Sequence, residues 1–158
     1  MSVLQAWVFD KVAVLVFPWH EPVEPPERGA RVEVRLLADE AHRGSYAAAQ
    51  RVVIDEPMFR ADLFDQTTAP PGNLRSAHFH THFDGVEPTD RVWPDAIKRD
   101  PTGWLATELA DLPALLRRGG ANFDPAAAQS DAAELRDAIP AIVAAVEATW
   151  DAVRTAPV

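Results

Sequence analysis

Hydrophobic positions along the chain change period near residue 92. Before that point they alternate. Val12, Val14 and Val16 interleave with Ala13, Leu15 and Phe17, an apolar run on both faces that predicts a strand covered on both sides. Residues 31–37 alternate more strictly, with Val32, Val34 and Leu36 on one face and Arg31, Glu33 and Arg35 on the other. Residues 50–55 and the segment from Met58 to Phe64 predict two further strands, separated by Pro57. The turn-rich stretch at residues 67–73 then reverses the chain, and residues 75–84 return as a partner strand. Between the first two strands, Pro18, Pro22, Pro25 and Pro26 predict an ordered loop or edge crossing, in which Trp19 and His20 could cover the mouth of a pocket.

After residue 92 the period becomes 3.6. Asp100 followed by Pro101 marks a helix start, and Gly119–Gly120 marks a stop, with Pro113 dividing the span into two short helices. Asp131 with Glu134 suggests an acidic capping box. Leu135, Ile139, Ile142, Val143, Val146, Trp150 and Val153 trace one face of a long helix, with a kink expected at Pro140. Such a stripe must be buried, and the sheet offers the surface. The expectation is an α+β protein, residues 1–158 in one domain, mainly β over 1–92 and mainly α over 93–158. Five or six antiparallel strands form a meander, and the carboxy-terminal helices pack on one face.

Composition narrows the chemistry. The 158 residues carry 24 acids against 15 bases, a formal charge of −9, which disfavours a nucleic-acid partner. No cysteine is present, so thiolate nucleophiles, disulfides and sulfur-ligated metals are excluded and any metal must take nitrogen and oxygen ligands. The amino-terminal segment lacks the basic leader of a signal peptide, and no apolar run reaches the roughly 18 residues of a membrane span. A cytoplasmic protein with no membrane partner is expected, compatible with a homo-oligomer and with a small-molecule ligand. There is no phosphate loop, dinucleotide fingerprint or nucleophile elbow.

Against this background, three of five histidines fall within residues 78–82. On an extended strand His78, His80, His82 and Asp84 share one face, while Phe79, Thr81 and Phe83 take the other and can enter the core. Alternate residues stand roughly 6.6 Å apart, so about 13 Å separates His78 from His82, too far for easy ligation of one ion. An adjacent pair, His78 with His80 or His80 with His82, can present two ligands. The third must then come from a neighbouring strand. Asp62, on the strand expected to pair with this one, is the first candidate for that ligand, followed by Glu56 and His42. Such a set suits one divalent transition metal, zinc or iron. Glu87 is a weaker candidate ligand or acid, and Ser76 lacks an identifiable oxyanion partner.

Metal-free readings stay open beside this one. Histidines with Arg60, Arg75 and Arg91 could bind an anion or run acid–base chemistry in a phosphodiesterase or toxin-like hydrolytic domain, and a non-enzymatic partner-binding module is a third alternative. The combination of RADLF at residues 60–64, HFHTHFDGVEP at 78–88 and DPTGWL at 100–105 resembles a group of small actinobacterial proteins. The resemblance covers about a third of the chain and implies no activity.

Overall fold

Strictly alternating segments become the middle of one sheet. The structure, a computed structural model, describes residues 3–40 and 51–157. Strands β1 (Gln5–Val8), β2 (Val12–Glu21), β3 (Glu27–Glu40), β4 (Arg51–Gln66) and β5 (His78–His80) lie side by side in chain order, every neighbour antiparallel. A two-stranded hairpin follows, β6 (Phe83–Asp84) and β7 (Glu87–Pro88), turning at Gly85. Then come α1 (Asp95–Arg99), α2 (Pro101–Ala110), α3 (Leu112–Gly119) and α4 (Gln129–Thr155). The α+β class and the antiparallel meander with helices against it are as the hydrophobic pattern implies. Strand β1 is not marked by that pattern, and His42 and Gln50 lie outside the described residues.

Three local expectations are corrected. Pro18 does not sit in a loop: β2 runs through it, with Pro18 opposite Ala30. The ladder with β1 ends at Gln5 opposite Val16, so Pro18 lies where β2 has no outer neighbour and a missing amide is tolerated. Pro57 does not divide β4 either. It pairs with Arg35 inside the strand, and register shifts on both sides of Arg35 absorb the irregularity. Conversely, the expected strand over 75–84 is only three residues long. Beyond His80 the amides of Thr81 and His82 turn to the Asp90 carboxylate, which ends the ladder.

The two sheet faces then differ sharply. On the helix side, Val12, Val14, Val16, Val32, Val34, Phe59, Ala61, Leu63 and Phe79 bury against Leu105, Leu109, Leu116, Leu135, Ile142 and Val146. Burial of each such side chain stabilises by roughly 1.5–3 kcal/mol. Polar latches fix how α4 lies on the sheet. Trp150 Nε1 donates to the Leu63 carbonyl at 3.0 Å, and Arg154 Nε donates to Asp65 Oδ2 at 2.8 Å. Gly29 lets β3 approach that same Leu63 carbonyl, into which a Cβ would run.

Asp131 also departs from expectation. It does not cap α4, whose N-cap is Ala128 without a side-chain bond. Its buried carboxylate instead accepts the backbone amides of Asp10, Lys11 and Val12, tying the first turn of α4 to the β1–β2 turn. Three backbone donors depend on one side chain. D131A should therefore cost about 3 kcal/mol of unfolding free energy by urea titration, from charge-assisted bonds lost and amides left unpaired. E134A, at an exposed position, should stay within about 0.5 kcal/mol. Equal losses would restore the capping-box assignment.

Candidate metal centre

On the face away from α4 the sheet buries charge. Register places Arg31, Asp62 and His78 on one rung across β3, β4 and β5, and Glu33, Arg60 and His80 on the next. All except Arg60 are buried side chains, although four of the six carry or can carry a full charge and two are imidazoles. The arrangement is a checkerboard: Arg31 beside Glu33, Asp62 beside Arg60, opposite charges facing one another across the ladder. Arg31 Nε donates to Asp62 Oδ1 at 2.6 Å and its Nη2 to Oδ2 at 3.3 Å. Trp19 closes over the Arg31 guanidinium at 4.0 Å, so this tryptophan does cover the charged rung, while His20 is exposed.

Asp62, His78 and His80 converge. His78 Nε2 and His80 Nε2 are 3.1 Å apart, and each is 3.3 Å from Asp62 Oδ2. The outer ring nitrogens explain why. His78 Nδ1 lies 2.7 Å from the Ser76 carbonyl, and His80 Nδ1 lies 2.5 Å from the Asp90 carbonyl. A carbonyl can only accept, so each Nδ1 carries hydrogen, and in a neutral imidazole Nε2 is then a bare lone pair. Two bare nitrogens and a carboxylate oxygen thus face one another in a water-poor site. Three acceptors repel unless a proton or a cation lies among them. Their spacing matches the edge of a tetrahedron, about 3.3 Å, whose corners lie 2.0–2.1 Å from a central ion. The three residues lie close enough to hold a metal ion. Donation of the remote ring N–H to a backbone carbonyl is the usual way a ligating histidine is held.

The surroundings lock these rings. Val92 exchanges both backbone bonds with Phe79 at 2.9 Å, which sets Trp93 beside His78 with ring centroids 4.6 Å apart. Phe64 meets the His78 ring edge-on at 6.3 Å. Burial alone would push the Asp62 carboxyl up. The Arg31 bonds and charge, together with hydrogen bonds from His78 and His80 when a proton lies between their Nε2 atoms and the carboxylate, outweigh it and hold the group well below the usual carboxylate range.

Other expected residues lie elsewhere. His82 turns outward, its side chain 63% exposed, against Thr81 Oγ1 at 2.8 Å and Asp90 at 3.4 Å. Phe83 does not join Phe79 in the core. It leaves the sheet and lies 6.5 Å from the His80 ring and 5.5 Å from the Arg60 guanidinium. Arg75, Glu56, Asp84 and Glu87 are exposed, and exposed Arg91 lies over the outer Trp93 at 5.7 Å. Ser76 contributes its carbonyl. A groove of about 570 Å³, lined by Gln5, His20, Arg28, Thr149 and Val153, opens against α4 and includes Trp19 but none of the six residues of the charged rungs. Arg31, Glu33 and Asp90 contribute to the site without being candidates on sequence grounds. The first two are visible in the alternation of residues 31–37 once β3 is known to adjoin Asp62, whereas nothing in the sequence marks Asp90.

No helix among the described residues is long and apolar enough to cross a membrane. Comparison with known proteins gives no match to a family model, a curated protein or a solved structure.

Asp90 controls the loop whose carbonyl holds His80. Slight burial raises its pKa, but bonds from Thr81 Oγ1, the amides of His82 and Thr81 and the His82 ring lower it to about 2, below the ordinary 3.8. A depressed carboxylate contributes its stabilisation above the unfolded value and loses it as pH falls through the folded one. Between about pH 4 and pH 2 the wild type should lose a share of stability that D90A has already lost, so the gap between them narrows. A constant gap in pH-resolved urea titrations would contradict this role.

Proposed function

We propose that this protein binds one divalent transition-metal ion through Asp62 Oδ2, His78 Nε2 and His80 Nε2. The observation that carries the proposal is the convergence of three bare acceptors at 3.1–3.3 Å, with both histidines oriented by backbone carbonyls. A cation turns that repulsion into attraction and makes the buried Asp62 a strong ligand. The donor set, two imidazoles and one carboxylate without sulfur, suits zinc or ferrous iron. Three protein ligands leave coordination positions open, the arrangement of a catalytic rather than a closed structural centre. A metal so placed would supply Lewis acidity toward a small molecule.

This chain's own residues set the limits of that chemistry. Arg31 holds Asp62 from behind, so the carboxylate presents Oδ2 in one orientation. Trp93, Phe64 and Phe83 surround the imidazoles with apolar surface that strengthens charge interactions at the ion. Of the cations the metal-free alternatives call on, Arg75 and Arg91 are exposed and only Arg60 stays on this face, while Arg31 is committed to Asp62.

Calorimetric titration of chelator-stripped protein with zinc, and anaerobically with ferrous iron, tests the assignment. One equivalent of at least one metal should bind. D62A, H78A and H80A should each weaken binding at least about 100-fold, as expected for loss of a ligand rather than an outer contact, and H82A less than threefold. Stoichiometry below a tenth of an equivalent for both metals, or an H82A loss equal to that of H80A, would overturn it.

A further inference from the structure

Resting on the metal assignment above, a second feature of the same face identifies what the centre takes as its ligand. Arg60 stands directly across the ladder from His80 and two residues from Asp62. Its Nε is the one buried side-chain nitrogen or oxygen without a hydrogen-bond partner among the described residues. Arg31 differs: it is bidentate on Asp62. Arg60 has only long contacts through Nη2, 3.4 Å to Glu33 and 3.3 Å to the Val86 carbonyl in the β6–β7 hairpin. A guanidinium with a donor free of both water and protein is costly, and the cost disappears when an oxygen reaches it.

Charge supports the same conclusion. In their ordinary states Arg31 and Arg60 cancel Asp62 and Glu33, so the two rungs are neutral with neutral imidazoles. Entry of a divalent ion leaves two uncompensated positive charges in a buried site. No further carboxylate accompanies Asp62 in the convergent group, so the centre favours a negatively charged ligand at its open positions. An anion bound there supplies the missing charge. Phe83 lies 5.5 Å from the Arg60 guanidinium and 6.5 Å from the His80 ring, so Arg60 and a ligand of the centre flank one side chain.

We infer that the metal-loaded centre binds a small oxyanion, a carboxylate or phosphate group, held at the open coordination positions and hydrogen-bonded by Arg60. Its substrates would carry such a group. Arg60 acts on the ligand and not on the metal, which sets it apart from Asp62, His78 and His80. The β6–β7 hairpin, which lies over Arg60 through Val86, must yield for the anion to enter.

The cobalt(II)-loaded full chain provides the test, since visible absorption of cobalt reports its coordination. Inorganic phosphate and acetate, titrated separately, distinguish phosphoryl from carboxylate ligands. At least one should change the spectrum saturably. R60K keeps a cation opposite Glu33 but lacks the Nε–H. It should weaken that anion about tenfold or more while cobalt affinity stays within threefold. R91Q, at the exposed rim, should change anion affinity less than threefold. Cobalt binding with no response to either anion would overturn the inference alone, as would R60K binding the anion as tightly as the wild type. Failure to bind cobalt at all would overturn the metal assignment with it.

Discussion

Asp62 cannot sit where it does unless β3 and β5 flank β4 in one register. Its carboxylate is buried between both neighbours: Arg31 compensates its charge from one side, and His78 and His80 converge on it from the other. A slip of β4 by one residue against β3 would point Asp62 at the helices and place Ala61 opposite Arg31, and a slip of β5 would turn His78 and His80 away. Breaking a buried pair of this kind costs about 3–5 kcal/mol. The polar face therefore enforces the register that the apolar face alone specifies only through packing. The tight bonding of Arg31, with Trp19 over it, makes β3 a fixed wall against which the other ligands are aligned.

Division of labour between the faces follows from the alternation. Val32, Val34, Ala61 and Leu63 bind the helices, and the residues between them build the site. Because α4 is latched at Asp131 near its start and at Trp150 and Arg154 near its end, the sheet is supported along its length from the apolar face. The lid over the charged face is made of single side chains and one short hairpin: Trp19, Trp93, Phe83 and the loop at Val86. Rigid ligands behind a light cover are what a centre with exchangeable positions requires.

Much of this is legible in the sequence, for physical reasons that also mark where legibility stops. Period-two alternation locates β3 and β4, because each has one face in the core, and a run apolar on both faces locates β2. Strand geometry shows that three histidines spaced over about 13 Å cannot share one ion easily, and it points to an adjacent pair with a carboxylate from the next strand. Asp62 is the first candidate on those grounds, and it is Asp62 that stands opposite His78. What stays hidden depends on side chains meeting across long separations. Asp90 ends β5 by capturing two amides, so His82 leaves the strand on which the sequence places it. Asp131 followed by Glu134 resembles a helix start, yet its carboxylate is used 119 to 121 residues away. Pro18 and Pro57 read as breaks, but one lies at an unpaired margin and the other in a bulge.

The orientation of two imidazoles decides the central claim. Nitrogen-15 NMR of the histidine rings reports directly which nitrogen carries hydrogen and which binds metal. With zinc added, His78 and His80 should both keep Nδ1–H, bonded to the Ser76 and Asp90 carbonyls, and both should show metal-shifted Nε2 resonances, while His82 stays unaffected. Rings that carry hydrogen on Nε2, or that are indifferent to zinc, would contradict a metal centre built on converging lone pairs.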